Sequence, residues 1–260
     1  MDVLLEMRGP AAWVTLNRPR ELNALSLPMM ERLAGILDET EADPAVRCLV
    51  LTGAGRAFCA GADLKFIHDM PAERRDAATM AFLRQASALM SQVEAFPKPV
   101  IAAVNGIATA GGLELVLCCD LVVAAESARL GDGHANYGLL PGAGASARLP
   151  RRVGLARAKH LFFTGDLLPA AELMAAGLVN SVVPTAELDA AVQHLAEKVA
   201  AKSPIGLRRM KELANAAAEV TQEEALRQEL AVNEGYARTF DRNEGLAAFN
   251  ERRPPVFQGR

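Results

Sequence analysis

Apolar positions along this chain fall into short continuous runs that alternate with longer stretches in which they recur every three or four residues. Continuous runs of this kind predict buried strands, and the longer spacing predicts helices packed on them. A strand is expected over Ala12 to Leu16, then a helix opened by Ser26 with Pro28 early in it, then a strand over Val46 to Leu51. A polar helical stretch follows from about Pro71 to Glu94, and Pro97-Lys98-Pro99 punctuates the chain before strands at Val100 to Val104 and Leu121 to Ala125. From about Thr185 onward only helical patterns are seen, broken at Ser203-Pro204 and at Ala218 to Thr221. The reading is an α/β protein whose last quarter is a helical appendage. No internal repeat or low-complexity tract is found.

Composition narrows the class. The chain has 260 residues, 51% of them hydrophobic, enough for a substantial core in one large domain or one domain with a smaller appendage. Its formal charge of -3 comes from interspersed charges of both signs, with neither the basic stripe of a nucleic-acid binder nor a membrane signal. Cys48, Cys59, Cys118 and Cys119 lack metal-ligand spacing and read as reduced, cytoplasmic-type core residues. Met1 to Trp13 lacks the charged start and apolar run of a signal peptide, and no window reaches the roughly 18 uninterrupted apolar residues a membrane span needs.

Candidate chemistry sits where glycines interrupt the pattern. Thr52-Gly53-Ala54-Gly55 ends a strand in a glycine loop, but position 58 is Phe, so the third glycine of a dinucleotide fingerprint is missing. Pro141-Gly142-Ala143-Gly144 is a similarly weak match, because no strand of the right length precedes it. Two other turns are more informative: Ala60-Gly61-Ala62-Asp63, and Ala110-Gly111-Gly112 followed by Leu113-Glu114-Leu115-Val116-Leu117. The second places small residues at the start of a buried helix, where free amides stabilise negative charge such as a thioester oxyanion. One such donor is typically worth about 10² to 10³ in rate. The same glycines also suit plain close packing of helix on strand, and spacing alone leaves both readings open.

Glu114 likewise has two readings. An acid in a helix's first turn is favoured by the dipole and serves as a cap. Its apolar neighbours, however, set desolvation against the helix end, a tension that can tune a carboxyl for proton transfer.

The segment Ile101-Ala102-Ala103-Val104-Asn105-Gly106-Ile107-Ala108-Thr109-Ala110-Gly111-Gly112-Leu113-Glu114-Leu115-Val116-Leu117-Cys118-Cys119-Asp120 resembles the signature of the enoyl-CoA hydratase/isomerase, or crotonase, family. The likeness extends through Leu16-Asn17-Arg18-Pro19, Leu22-Asn23-Ala24-Leu25, Phe58 to Leu64, Gly138 to Gly144, Leu161 to Gly165 and Ala176 to Val179. It implies a crotonase-like spiral of repeated ββα units over residues 1–200 and a helical trimerisation region over 201–260, with trimers often paired into hexamers. It also implies an acyl-CoA substrate and no metal or redox cofactor, CoA being part of the substrate.

By the same resemblance, the backbone amides of Ala62 and Gly111 hold the thioester oxygen, while Ala60, Asp63, Leu64 and Lys65 lie near the adenine end of CoA. Asn23, Ala24 and Leu25 border the pantetheine, and Lys65, with Arg252 of a neighbouring subunit, approaches the phosphates. Segments such as Phe66 to Met80 and Asn136 to Leu140 are expected to line the acyl pocket.

The family's hydratases use two glutamates that share a water. Glu114 matches the first, but the second falls at His134, within Leu130-Gly131-Asp132-Gly133-His134. A histidine has an unperturbed pKa of about 6.5, suited to proton transfer near neutrality, and Asp132 is placed to orient it. The alternative is a histidine that only hydrogen-bonds its loop and leaves Glu114 to work alone. His68, His160 and His194 have no partner motif and read as structural. Three functions follow: an enoyl-CoA hydratase; an isomerase, decarboxylase or thioesterase on the same scaffold; or a CoA-binding protein without turnover.

Overall fold

The computed structural model describes the backbone of residues 1–260 and every side chain except those of Phe66 and Ile67. The chain opens with an antiparallel hairpin, β1 (Val3–Arg8) and β2 (Ala11–Leu16), of which only β2 was expected from the pattern. β1 buries only Val3 fully and lies at a sheet edge, so its apolar run is too diluted by Glu6 and Arg8 to stand out. Helix α1 (Leu27–Ala42) starts where Ser26 predicts it, with Ser26 Oγ accepting from the Met29 amide. Next come β3 (Cys48–Gly53), β4 (Ala57–Cys59), α2 (Leu64–His68) and α3 (Ala72–Ala95). β3 begins two residues later than Val46, because the Val46 amide is spent on a turn bond to Asp43 O.

Two further units repeat the plan: β5 (Val100–Val104), β6 (Ile107–Thr109) and α4 (Gly111–Leu117), then β7 (Leu121–Ala125), β8 (Arg129–Gly131) and, past a 3₁₀ turn at His134–Tyr137, α5 (Ala145–Val153) with α6 (Leu155–Thr164). Short β9 (Leu168–Pro169), α7 (Ala170–Ala175) and β10 (Ser181–Val183) close the sheets. Helix α8 (Leu188–Ala200) packs against β2, β3, β5 and β7, and Trp13 donates its indole N–H to Gln193 Oε1 on it. The remaining helices are α9 (Pro204–Ala217), α10 (Gln222–Tyr236) and α11 (Phe240–Glu251). The breaks at Ser203 and near Ala218 fall where proline and caps place them; a third, between α10 and α11, has Thr239 as cap and was not foreseen.

The strands sort into two sheets, ordered β1-β2-β3-β5-β7-β10 and β4-β6-β8-β9. Each unit lays one strand in the first sheet, turns, and lays a three-residue strand in the second before its helix. β2, β3, β5 and β7 run parallel and are nearly all buried, which explains their continuous apolar sequences. In the second sheet β4, β6 and β8 are adjacent and parallel, so Cys59, Thr109 and Gly131 end side by side. The turns leaving these three strand ends bear the candidate chemistry.

Candidate active site

Gly61 follows β4 in a backbone conformation with φ +104°, which favours glycine, and a Cβ built on it would lie 2.9 Å from Ala110 Cβ and 3.4 Å from Gly111 N. A Cβ built on Gly111 would in turn lie 3.6 Å from Ala62 N. The two glycine turns are therefore packed face to face, with the Ala62 and Gly111 amides beside one another. Neither amide donates to an acceptor among the described residues. Gly111 opens α4, so its N–H is one of the orphan donors of a helix start. Two unclaimed donors set side by side are what stabilising a developing oxyanion requires.

Ala110 is itself strained, at φ 50° and ψ -121°, a conformation costing on the order of 1–3 kcal/mol in a non-glycine residue. It is held by its amide, which donates to Asp132 O at 2.8 Å, and by its carbonyl, which accepts from Glu114 N at 3.0 Å. At the other end of α4, Arg152 donates to the Leu117 and Cys119 carbonyls. The helix bearing Glu114 is thus fixed at both termini.

Glu114 is 3% exposed. Its Oε1 accepts two backbone N–H groups, from Ala143 at 2.8 Å and Ala145 at 3.0 Å. Oε2 has no partner among the described residues, yet it is not one of the sealed, unsatisfied polar atoms, so it reaches open space. These donors come from Pro141-Gly142-Ala143-Gly144 and the residue after it, the glycine motif that fails as a nucleotide loop. Gly144 takes φ +118°, and Arg148, paired with Glu94 at 2.7 Å, holds the Ala143 carbonyl at 2.9 Å. The loop's work is to aim a carboxylate.

His134 stands in the turn after β8, its side chain 11% exposed, with Nδ1 3.0 Å from Asp132 Oδ1. Burial pulls its pKa down, but the hydrogen bond and charge of Asp132, with the charge of Glu114, raise it above the ordinary 6.5. The charge of Glu114 thus acts on the imidazole as well. Burial works against a thiolate at each cysteine: it pushes Cys59 and Cys118 up to about 12, Cys48 up to about 11, and Cys119 well above the ordinary range.

The loop expected at the pantetheine is braced from within. Asn23 is buried, and its amide is fully used: Oδ1 accepts from Arg18 N at 2.9 Å, and Nδ2 donates to Ala54 O at 3.0 Å and Ala57 O at 2.8 Å. Leu22 and Asn23 both have positive φ, so this side chain braces a strained turn. Leu25 is also buried, zipped to the first glycine turn through Leu25 N to Gly61 O at 2.7 Å and Asp63 N to Leu25 O at 2.9 Å. Ala24 keeps partial exposure. Asp63 is tied to Arg18 at 2.8 Å, Ala60 is half-buried, and Leu64 and Lys65 are exposed. Of the proposed acyl-lining segments, Phe66 lies outside the described side chains; Met80, Tyr137, Leu139 and Leu140 are exposed.

A cavity of about 1100 Å³ lies behind α4, lined by Glu94, Leu117, Cys118, Arg148 and Lys211. It contains neither free amide, and Arg148 and Lys211 are already paired, with Glu94 and Asp120.

The sequence model of the family described as enoyl-CoA hydratase/isomerase matches residues 7–260. The chain belongs to that family. It is 40% identical over 260 residues to the 2,3-dehydroadipyl-CoA hydratase of Escherichia coli, covering 100% of this chain and 99% of the relative. With the crotonyl-CoA hydratase of Syntrophomonas wolfei it shares 36% identity over 258 residues, 98% and 97% of the two chains. The crystal structure of an enoyl-CoA hydratase from Bacillus anthracis matches with a TM-score of 0.94 and 41% identity over 100% of both chains. The α/β spiral with a helical C-terminal region is therefore the crotonase fold, and the two glycine turns occupy the heart of an enoyl-CoA hydratase/isomerase family member. No helix among the described residues is long and apolar enough to cross a membrane.

Proposed function

We propose that the protein hydrates 2-enoyl-CoA thioesters, with Ala62 and Gly111 as the oxyanion donors, Glu114 as the base and His134 as the acid. The observation that supports this most is the convergence, at the ends of β4, β6 and β8, of two unclaimed amides and an oriented histidine, with the open oxygen of Glu114 from α4. In the forward step Glu114 Oε2 takes a proton from water, and the oxygen bonds to Cβ of the substrate. The π pair moves to give an enolate whose oxygen rests between the two amides. The enolate then takes the proton from His134 Nε2 at Cα, and the proton on Glu114 returns to His134 through solvent. Every proton has a donor and an acceptor among these groups, so the scheme calls for no metal or redox cofactor.

Lys65 and, from a neighbouring subunit, Arg252 are assigned to the CoA phosphates. The large apolar side chains left exposed on α9 to α11, Met210, Leu226, Leu230, Leu246 and Phe249, support a trimer or a pair of trimers built through these helices. Four free, buried thiols suit a reducing, cytoplasmic setting.

A panel of 2-enoyl- and 3-enoyl-CoAs in ¹⁸O-labelled water, followed by mass spectrometry, tests the reading. Label in a 3-hydroxyacyl-CoA, lost in Glu114→Gln and His134→Ala, is the expected result. A shifted double bond without label would replace hydration by isomerisation, a reaction favoured by the loss of the second glutamate; released CoA would indicate thioester cleavage.

A further inference from the structure

We infer that Asp132 is a positioning residue that joins the two halves of the site, orienting His134 through its carboxylate and the oxyanion turn through its carbonyl. This rests on the acid role given to His134 above. Asp132 is 1% exposed, and each of its acceptor groups is committed. Oδ1 takes His134 Nδ1 at 3.0 Å, Oδ2 takes the His134 backbone N–H at 3.3 Å, and its carbonyl takes Ala110 N at 2.8 Å. Ala110 immediately precedes the oxyanion amide of Gly111, so one residue sets both the acid and the electrophilic donor.

The intervening Gly133 makes the double grip possible. Its φ of +68° folds the chain so that Asp132 reaches forward two residues, and a Cβ there would lie 2.4 Å from Thr109 Oγ1. A carboxylate on Nδ1 requires the proton on that nitrogen, which leaves Nε2 as the atom that accepts or delivers a proton. Nε2 bonds nothing among the described residues and is not sealed away. The charges acting on the imidazole are Asp132, from its own turn, and Glu114, from α4; α6, packed against that turn, adds none that acts on it.

The test combines a readout independent of turnover with one that depends on it. In ¹⁵N NMR of the intact protein, Nδ1 of His134 should keep its proton from pH 6 to 9 while Nε2 alone titrates. In Asp132→Asn the midpoint should fall by about one pH unit. With crotonyl-CoA as probe, Asp132→Asn should bring the alkaline limb of kcat down by a similar amount and lower kcat about tenfold at pH 8, with KM changed less than about twofold. In a His134→Gln background, Asp132→Asn should cost nothing further in that limb. An unprotonated Nδ1 in the wild type overturns the proposal even where Asp132→Asn fails to fold, and so does an unmoved midpoint in a folded variant. A midpoint that moves as expected, beside a His134→Gln enzyme that hydrates at the wild-type rate, would overturn the acid role and the positioning role with it.

Discussion

Gly111 and Gly112 are neighbours in the chain with opposite tolerances. A Cβ on Gly112 would lie 2.0 Å from Cys59 O, a backbone atom, whereas the nearest atom to one on Gly111 is 3.4 Å away. Gly112 is therefore required by packing and Gly111 is not. The space a Cβ on Gly111 would enter is the space beside Ala62 N, where the oxyanion is proposed to sit. Gly111→Ala should fold with a melting temperature near that of the wild type and lose about 10² in kcat, as expected when one oxyanion donor is obstructed. Gly112→Ala should fail to yield folded protein. Melting curves with crotonyl-CoA assays on both variants decide it; equal activity in Gly111→Ala and wild type would mean that the space beside Ala62 N is not where the oxyanion sits.

Glu114 carries the second prediction. Its Oε1 is clamped by the Ala143 and Ala145 amides, so the free Oε2 has little freedom to rotate away. Glu114→Gln keeps the volume and removes the base, and kcat should fall about 10² to 10⁴-fold with the melting temperature little changed. Glu114→Asp should do nearly as badly, since the shorter side chain cannot reach both amides and the cleft. A Gln variant retaining turnover would mean that Glu114 is only a brace for the loop that leads into α5.

The buried, saturated amide of Asn23 predicts a stability effect. Asn23→Ala removes three hydrogen bonds and leaves the Arg18 amide and the Ala54 carbonyl without their partners under a turn with two positive-φ residues. The expected loss is about 2–3 kcal/mol. Urea unfolding monitored through the Trp13 emission measures it. A loss below about half a kcal/mol, with a raised KM, would return Asn23 to a binding role.

The central strands were legible because parallel strands buried on both faces leave continuous apolar runs: Val100–Val104 and Leu121–Ala125 have the bounds read from sequence. β4, β6 and β8 are three residues each, too short for any period, yet their ends carry the candidate site. Both glycine turns and Glu114 could be singled out because glycine and a lone acid break an apolar pattern. The anchors of Glu114 were missed, although Pro141-Gly142-Ala143-Gly144 was in view: a loop presenting N–H groups to an internal carboxylate reads the same as one presenting them to a ligand phosphate. Arg148, which sets that loop through Glu94, carries no local signal, because its partner lies 54 positions away.

The C-terminal tail is pinned by a buried carboxylate. Asp241, 1% exposed at the start of α11, accepts from Ser203 Oγ at 2.6 Å and from the amides of Gln258 at 2.7 Å and Gly259. It thereby ties the start of α9, the start of α11 and the tail together. Asp241→Ala should leave the sheets intact but open this corner, speeding hydrogen exchange and proteolysis within residues 204–260 by tenfold or more, roughly the effect of 1.4 kcal/mol. Exchange accelerated equally in β5 and β7 would show that the helices and the spiral unfold as one unit.

His134 gives a pH dependence whose sign follows from its environment. Its folded pKa is raised, against the downward pull of burial, by Asp132 and Glu114. The protonated side chain therefore contributes stability that is fully present below the unfolded value of about 6.5 and is lost as pH rises through the raised folded value. Replacing it by Gln removes this contribution and gives the Asp132 carboxylate a weaker, neutral donor to accept from. The difference in unfolding free energy between wild type and His134→Gln should thus be larger at pH 5.5 than at pH 9, measured by urea unfolding at constant ionic strength. A difference that grew toward alkaline pH would mean that burial outweighs both carboxylates, and that the imidazole stands neutral in the folded protein, with no proton on Nε2 to give to an enolate.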